Sequence, residues 1–209
     1  FGSTGRKTAV VSTINGDANV PFYKELANQG ISATELPVIA FSVGEEELSG
    51  IDTAPLVGHL AAWNYFMSVE ADANYDFIDD WLAFIGDDYR VTNDPMEAHY
   101  IGFNMWVRAV EAAGTTDPAA VQDAIIGVTV PNLSGGMATM LPNHHITKPV
   151  LIGEILDDGQ FQVVWRTPAP VPGDAWSDYL PGSRDLKADW TASLRCGNYS
   201  TAEERCLAE

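Results

Sequence analysis

Short apolar runs alternate with helical patterns in the first part of the chain. Residues 8–14 and 36–41 are short runs of mostly apolar and β-branched residues, which is typical of buried strands. A polar or glycine-containing loop follows each run, at 15–19 and 42–44, and a helical pattern follows each loop. Strands that alternate with helices predict an α/β fold with a parallel sheet, in which ligands bind beyond the carboxyl ends of the strands.

Five segments carry helical patterns: residues 21–30, 45–48, 73–84, 95–113 and 118 to about 127. The clearest is 95–113, which stops at Gly114. Its apolar positions recur at three- and four-residue steps: Tyr100, Phe103, Val107 and Val110.

Later segments predict strands and an irregular tail. The apolar run 58–66 is strand-like and precedes a helical pattern. The runs 150–155 and 161–165 flank Asp157-Asp158-Gly159, a strong signal for a β-hairpin. From residue 168 onward the chain is rich in Pro, Gly and Asp, which predicts an ordered but irregular tail.

The acidic composition argues against several classes of partner. The chain has 29 acidic and 11 basic residues and a formal charge of -18. Because the basic residues are scattered, nucleic acid and anionic membrane surfaces are poor candidates. No apolar run reaches the roughly 18 to 20 residues that span a bilayer. The chain runs into an apolar stretch without a starting Met, so we expect the middle of a longer protein, with room for a targeting segment upstream.

Few residues suit catalysis or metal binding. His144 and His145 are adjacent, and neighbouring side chains in a strand point to opposite faces, so the pair does not suit one metal ion. The acidic run that begins at Glu45 offers carboxylates for acid–base chemistry, but a solvated helix start explains it better. The sequence contains no nucleophile-elbow, Walker or dinucleotide motif. We therefore predict a protein that is not an enzyme and needs no metal or cofactor.

The two cysteines, Cys196 and Cys206, enclose a polar stretch that can loop back on itself. A disulfide between them would stabilise the tail by about 2 to 3 kcal/mol in an oxidising compartment. Two free thiols are the alternative. A zinc site fits less well, because structural zinc usually takes four ligands and no histidine accompanies the pair.

Several long, ungapped stretches resemble the urea-binding proteins of urea ABC transporters. They are residues 13–24, 41–48, 58–66, 92–98, 142–145, 172–183 and 196–199. Stretches of this length are far more specific than any short motif.

The resemblance implies a type I periplasmic binding protein fold, with two parallel-sheet lobes joined by crossover hinge strands. It assigns 1–66 to the C-terminal part of lobe two with a crossover, and 67–130 to the returning segment of lobe one. It also assigns 131–167 to a crossover and the β-hairpin, and 168–209 to the irregular C-terminal tail. Most of lobe one belongs to an N-terminal half outside this chain, so the fold is only partly present.

The resemblance also implies a function, namely capture of urea in the cleft between the lobes and delivery to an inner-membrane ABC permease. The setting would be the periplasm, which favours the disulfide. Because urea offers four N–H donors and one carbonyl acceptor, its site needs paired acceptors and donors. The residues expected to bind it are Asn15, Gly16, Asp17, Ser42, Gly44, Glu45, Trp63, Met96 and Glu97. Asn15 and Asp17 could instead cap a helix, and Trp63 could be an ordinary core residue.

Two other functions stay open. A protein of the same fold could bind short-chain aliphatic amides, either for transport or as an amide sensor. A hydrolase acting on urea or an amide is the alternative from another class, and it would need a metal or nucleophile that the sequence does not offer.

Overall fold

The computed structural model describes residues 7–174, 176, 179, 181–183, 199, 200, 203, 205 and 206. In chain order its helices and strands are β1 (Val10–Ser12), α1 (Asn19–Asn28), β2 (Val38–Ala40), α2 (Glu45–Leu48), β3 (Leu60–Trp63), α3 (Asp72–Ile85), α4 (Asp94–Ala113), α5 (Pro118–Ala124), β4 (Thr129–Pro131), β5 (Met137–Thr139), β6 (Leu151–Ile155), β7 (Phe161–Arg166), β8 (Tyr199–Ser200) and β9 (Arg205–Cys206). The predicted α/β class, the hairpin and all five helical segments are confirmed, and the first three strands are shorter than predicted.

The main sheet joins five strands in the order β1-β2-β3-β6-β7. The first three are parallel, whereas β6 and β7 form an antiparallel hairpin that pairs with β3. One face packs against α1. The buried residues of this contact are Tyr23 and Leu26 of α1 and, from the sheet, Val38, Ala40, Ala61, Leu151 and Ile155. The opposite face is more open, since Val11 on β1 is 64% exposed and Trp165 on β7 is 50% exposed. This sheet with α1 and α2 is the sheet body.

Helices α3, α4 and α5 and the β4-β5 pair form the helical body. Helix α4 begins where the Asn93 side chain accepts a hydrogen bond from the Met96 backbone N–H at 3.1 Å, and it ends at Gly114 with a φ of 65°. Its buried positions are Asp94, Glu97, Ile101, Met105 and Ala109. The apolar stripe that predicts this helix lies largely outside, because Tyr100 and Phe103 are 41% and 62% exposed. The helix therefore carries apolar residues on two sides.

Two connections join the bodies. The outgoing connection, residues 64–71, runs from β3 to α3, and the return connection, residues 140–150, runs from β5 to β6. The hydrophobic clusters of the two bodies are separate. The connections touch where the Asn64 amide donates to the carbonyl oxygen of Pro149. The predicted lobe boundaries at residues 66, 130 and 167 stay a prediction.

The C-terminal residues 174–209 form a second compact unit. Among its described residues, β8 and β9 form a short antiparallel pair. The ordered but irregular tail from residue 168 stays a prediction, with this pair as its regular element among the described residues. Cys196 lies outside the described residues, and its disulfide with Cys206 stays a prediction. In the described part of the chain, no helix combines the length and the apolarity needed to cross a bilayer.

Candidate functional site

Asn15 and Ser42 meet at the carboxyl edge of the parallel strands. Asn15 follows β1 and Ser42 follows β2, and the Ser42 hydroxyl donates to the Asn15 side-chain oxygen across 2.5 Å. Parallel neighbours end at the same edge of a sheet, so two loops that are distant in sequence come together. We define the edge site as loops 13–19 and 41–46 together with Trp63.

The buried amide of Asn19 holds the two loops of the edge site. Its Nδ2 donates to the backbone oxygens of Ile14, Gly16 and Ser42, at 3.3, 3.1 and 2.7 Å. The residue is 0% exposed, and its Oδ1 has no hydrogen-bond partner among the described residues. One side chain therefore fixes the loop after β1 against the loop after β2.

Gly44 lets the Trp63 indole approach the backbone. A Cβ added at Gly44 would lie 3.0 Å from Cζ3 of Trp63 and 3.6 Å from Cβ of Asn93. The Gly44 backbone N–H donates to the Glu47 carboxylate at 2.9 Å, which fixes the start of α2. Trp63 also packs against the core of the sheet body. Its position fits both predicted roles, the wall of a site and a core residue.

Gly16 and Asp17 lie in a short 3-10 helix between β1 and α1. Gly16 has a φ of 60°, in the left-handed region that favours glycine. Asp17 is exposed at the edge site. Asn15 precedes this helix without a side-chain capping bond, and its oxygen accepts from Ser42 instead. The capping interpretation of Asn15 is therefore wrong.

Glu45 lies in the second loop of the edge site but is only 1% exposed. Its Oε1 accepts a hydrogen bond from the Met67 backbone N–H at 2.7 Å, and its Oε2 has no partner among the described residues. Burial raises the pKa of Glu45 to about 8, and backbone hydrogen bonds offset this only in part. The carboxyl group therefore holds a proton at neutral pH while it joins α2 to the outgoing connection.

Met96 and Glu97 lie in the first turn of α4, in different surroundings. Met96 is partly buried and lines a groove with Phe77 and Trp81. Glu97 is 0% exposed, and its Oε2 forms an ion pair with the Lys148 ammonium. Burial raises the pKa of Glu97 to about 7, although Lys148 lowers it. As with Glu45, this carboxyl group lies inside the protein and not on an open surface.

The structure thus gathers part of the predicted set at the edge site: Asn15, Gly16, Asp17, Ser42, Gly44, Glu45 and Trp63. Met96 and Glu97 approach from α4, whose capping residue Asn93 faces Gly44. Sequence reasoning missed four polar residues that organise this region: Asn19, Asn64, Asp94 and Lys148. Asn19 and Asp94 stand in first helical turns, where the sequence signals at most a cap. Lys148 pairs with an acid 51 positions away, and no local pattern marks such a pair.

His144 and His145 lie in a turn and not in a strand. His144 has a φ of 59°, and its backbone N–H donates to the carbonyl oxygen of Leu141 at 2.9 Å. Ile146 makes only an isolated bridge with Met140. The expectation that strand geometry points the two histidines to opposite faces is therefore wrong, because the backbone turns there. Within the described residues, no group of three or more His, Cys, Asp or Glu is placed to hold a metal ion.

A family model described as "Periplasmic binding protein domain" matches residues 3–182. The chain therefore belongs to the periplasmic binding protein family. Its fold is the type I periplasmic binding protein fold, present in part, with a mixed sheet whose first three strands are parallel.

Solved structures share this fold at low sequence identity. A solute-binding protein of an ABC transporter from Rhodopseudomonas palustris HaA2, in complex with p-hydroxybenzoic acid, is 22% identical with a TM-score of 0.66, over 80% of this chain and 46% of that one. A periplasmic ligand-binding protein of a branched-chain amino acid ABC transporter from Burkholderia xenovorans LB400 is 16% identical with a TM-score of 0.64, over 78% of this chain and 44% of that one.

One curated relative has a different kind of name. A protein named limonene hydroxylase from Geobacillus stearothermophilus is 31% identical over 115 residues, which are 55% of this chain and 21% of that protein. This chain spans less than half the length of each of these proteins. The likeness to the solved structures establishes the fold alone.

Proposed function

We propose that this chain is the C-terminal half of a periplasmic solute-binding protein that delivers urea to an inner-membrane ABC permease. The observation that carries the proposal is the contact between Asn15 and Ser42, two uncharged polar side chains at the carboxyl ends of parallel strands. This architecture gathers its ligands at that edge. Membership of the periplasmic binding protein family supports a solute-binding role. The resemblance of 13–24 and 41–48 to urea-binding proteins supports the choice of ligand.

The chemistry of these side chains suits urea. Urea is planar and uncharged, with N–H donors and one carbonyl acceptor. The Asn15 oxygen can accept from a urea N–H, and the Ser42 hydroxyl can donate to the urea carbonyl once it leaves Asn15. The Trp63 ring offers a flat apolar surface against which a planar molecule can lie. Asp17, exposed on the same loop as Asn15, adds a second acceptor for N–H groups.

The charges near the edge site favour an uncharged ligand over a carboxylate. The acidic side chain of Asp17 is exposed there, whereas Glu45, in the same loops, is buried and holds a proton at neutral pH. The two basic side chains that contact neighbouring acids are already paired, Arg90 with Glu46 at 3.8 Å and Lys148 with Glu97. A ligand carboxylate would therefore meet the acidic side chain of Asp17, and neither of these two cations is free to bind it. This differs from what a ligand such as p-hydroxybenzoic acid would require.

In this proposal the two bodies belong to different lobes. The sheet body is part of lobe two and the helical body is part of lobe one, with the connections as crossovers. Urea binds between the lobes and stabilises their closed arrangement, which the permease recognises. An N-terminal half supplies the remaining wall of the cleft, in keeping with the greater length of the solved relatives. No covalent bond changes, so the protein acts as a carrier and not as an enzyme.

The periplasmic setting can be tested through the cysteines. We expect Cys196 and Cys206 to be joined, because an oxidising compartment favours the bond. A thiol titration of unfolded, unreduced protein should then find no free thiol. Two free thiols per chain would contradict both the bond and the setting that it implies.

Calorimetric titration of the two-lobed protein with urea, acetamide and leucine tests the ligand. We expect urea to bind most tightly and Ser42→Ala to weaken it roughly threefold to tenfold, as for the loss of one hydrogen bond. Ser49→Ala is the matched control, because the Ser49 hydroxyl donates only to the Glu46 carbonyl oxygen at the end of α2. Tighter binding of acetamide would identify an amide binder. Ammonia release from urea would favour a hydrolase instead.

A further inference from the structure

Asn64, the first residue of the outgoing connection, bonds to three separate segments of the chain. Its backbone N–H donates to the Asp94 carboxylate in the first turn of α4, at 3.0 Å. Its carbonyl oxygen accepts from the Ser134 hydroxyl, in the turn between β4 and β5. Its side-chain Nδ2 donates to the carbonyl oxygen of Pro149 in the return connection, at 2.7 Å. Asn64 therefore contacts α4 and the β4-β5 turn of the helical body as well as the return connection.

These bonds lie where the two bodies meet. The hydrophobic clusters of the sheet body and the helical body are separate. No hydrophobic cluster of the described residues spans both bodies, although the outgoing connection places Tyr65 in one cluster and Phe66 in another, so polar contacts also contribute to holding the bodies together. The side-chain amide of Asn64 is the direct link between the two connections, which are 85 residues apart in sequence at this point.

The neighbouring contacts hold the partners of Asn64 in place. Lys148 precedes Pro149 and forms the buried ion pair with Glu97 of α4. The carbonyl oxygen of Ser134 accepts from the Arg166 guanidinium of β7 at 3.0 Å. Each segment that Asn64 touches is thus anchored by a second contact, so a bond to Asn64 fixes one segment relative to another.

We propose that Asn64 is a positioning residue that clamps the outgoing and return connections together, so that they move as one hinge when the lobes close on a ligand. This inference rests on the proposed function, because it assigns the clamp to ligand-driven closure. Substituting the side chain removes only the bond to Pro149 and leaves both backbone bonds of Asn64 available. The effect of the clamp can therefore be separated from that of the junction as a whole.

Hydrogen exchange in the 209-residue chain without urea tests the clamp itself. In Asn64→Ala and in the similarly sized Asn64→Leu, the backbone amides of Lys148 and Val150 should exchange roughly threefold to tenfold faster. These amides bond to the Val171 carbonyl oxygen and the Thr167 hydroxyl, and neither bond involves Asn64. Asn104→Ala is the matched control, since Asn104 Nδ2 donates at 2.8 Å to the Tyr100 carbonyl oxygen within α4. Unchanged exchange at both amides in a folded Asn64→Ala chain would overturn the clamp.

Urea titration of the two-lobed protein tests the role in closure. Asn64→Ala should raise the Kd for urea roughly threefold to tenfold, while its unfolding midpoint stays near that of Asn104→Ala. A lower midpoint with unchanged Kd would reduce Asn64 to a purely structural role and overturn the proposal. If the unsubstituted protein does not bind urea, the proposed function and the hinge assignment both fail, while the exchange result still decides whether Asn64 clamps the connections.

Discussion

The Glu45 carboxyl group accepts a hydrogen bond from the Met67 backbone N–H at 2.7 Å and thereby fastens α2 to the outgoing connection. Burial raises the pKa of this carboxyl from its ordinary 4.5 to about 8. Between these two values the folded chain holds a proton that the unfolded chain releases, so the folded state is favoured more at lower pH. The stabilisation from this proton is complete below the unfolded pKa and is lost as the pH rises through the folded pKa.

Glu45→Gln should remove this pH dependence. Glutamine retains an oxygen for the Met67 N–H and does not ionise. The free energy of unfolding of the variant should lie close to that of the unsubstituted chain near pH 5 and exceed it by on the order of 4 kcal/mol near pH 9. Guanidinium melts at several pH values measure this, since urea is the proposed ligand and unsuitable as the denaturant. Glu46→Gln is the control, because Glu46 is the next residue of α2 and its side chain is exposed. If Glu45→Gln keeps the full pH slope of the unsubstituted chain, the raised pKa is contradicted.

Gly44→Ala should destabilise the protein through the contact with Trp63. The new Cβ would lie 3.0 Å from the indole, so the ring or the loop must shift. We expect a loss of about 1 to 3 kcal/mol in the free energy of unfolding, as for other overpacked sites. Gly50→Ala should change it by less than about 0.5 kcal/mol, since a Cβ there meets no atom within 4 Å. Equal guanidinium midpoints for the two variants would show that Trp63 moves freely.

Local signals explain which parts of the fold are predictable from sequence. The hairpin around Asp157-Asp158-Gly159 and the ends of α4 at Asn93 and Gly114 depend on turn and capping preferences within a few residues. The meeting of Asn15 with Ser42 is also predictable, because loops that follow adjacent parallel strands share an edge. Each of these features is decided by residues close together in sequence or by a general rule of sheet topology.

The burial of carboxyl groups is not predictable from the sequence. Glu45 and Glu97 are expected to face a ligand, yet both are inside the protein, because the Met67 N–H and the Lys148 ammonium from distant segments offset their burial. The spacing of apolar residues in α4 predicts a helix, but it does not identify which side of that helix packs against the rest of the fold. Tyr100 and Phe103 are therefore found outside, although their spacing is typical of a buried stripe.

The ion pair between Lys148 and Glu97 yields the last prediction. Lys148 lowers the pKa values of both Glu97 and Asp94, which burial raises. Lys148→Met leaves these buried carboxyl groups without their cation and should lower the free energy of unfolding by about 3 to 5 kcal/mol near pH 8. The loss should be smaller near pH 5, because the folded state then accommodates the carboxyl groups by protonating them.

A second substitution separates the missing cation from the missing packing. Lys148→Met combined with Glu97→Gln removes one of the carboxylates that Lys148 neutralises, so the double variant should regain more than half of the stability lost in Lys148→Met. Guanidinium melts of the four proteins of this double-mutant cycle give the coupling energy between the two positions. A double variant no more stable than Lys148→Met would mean that the packing of the lysine stem, and not its charge, stabilises the return connection against α4.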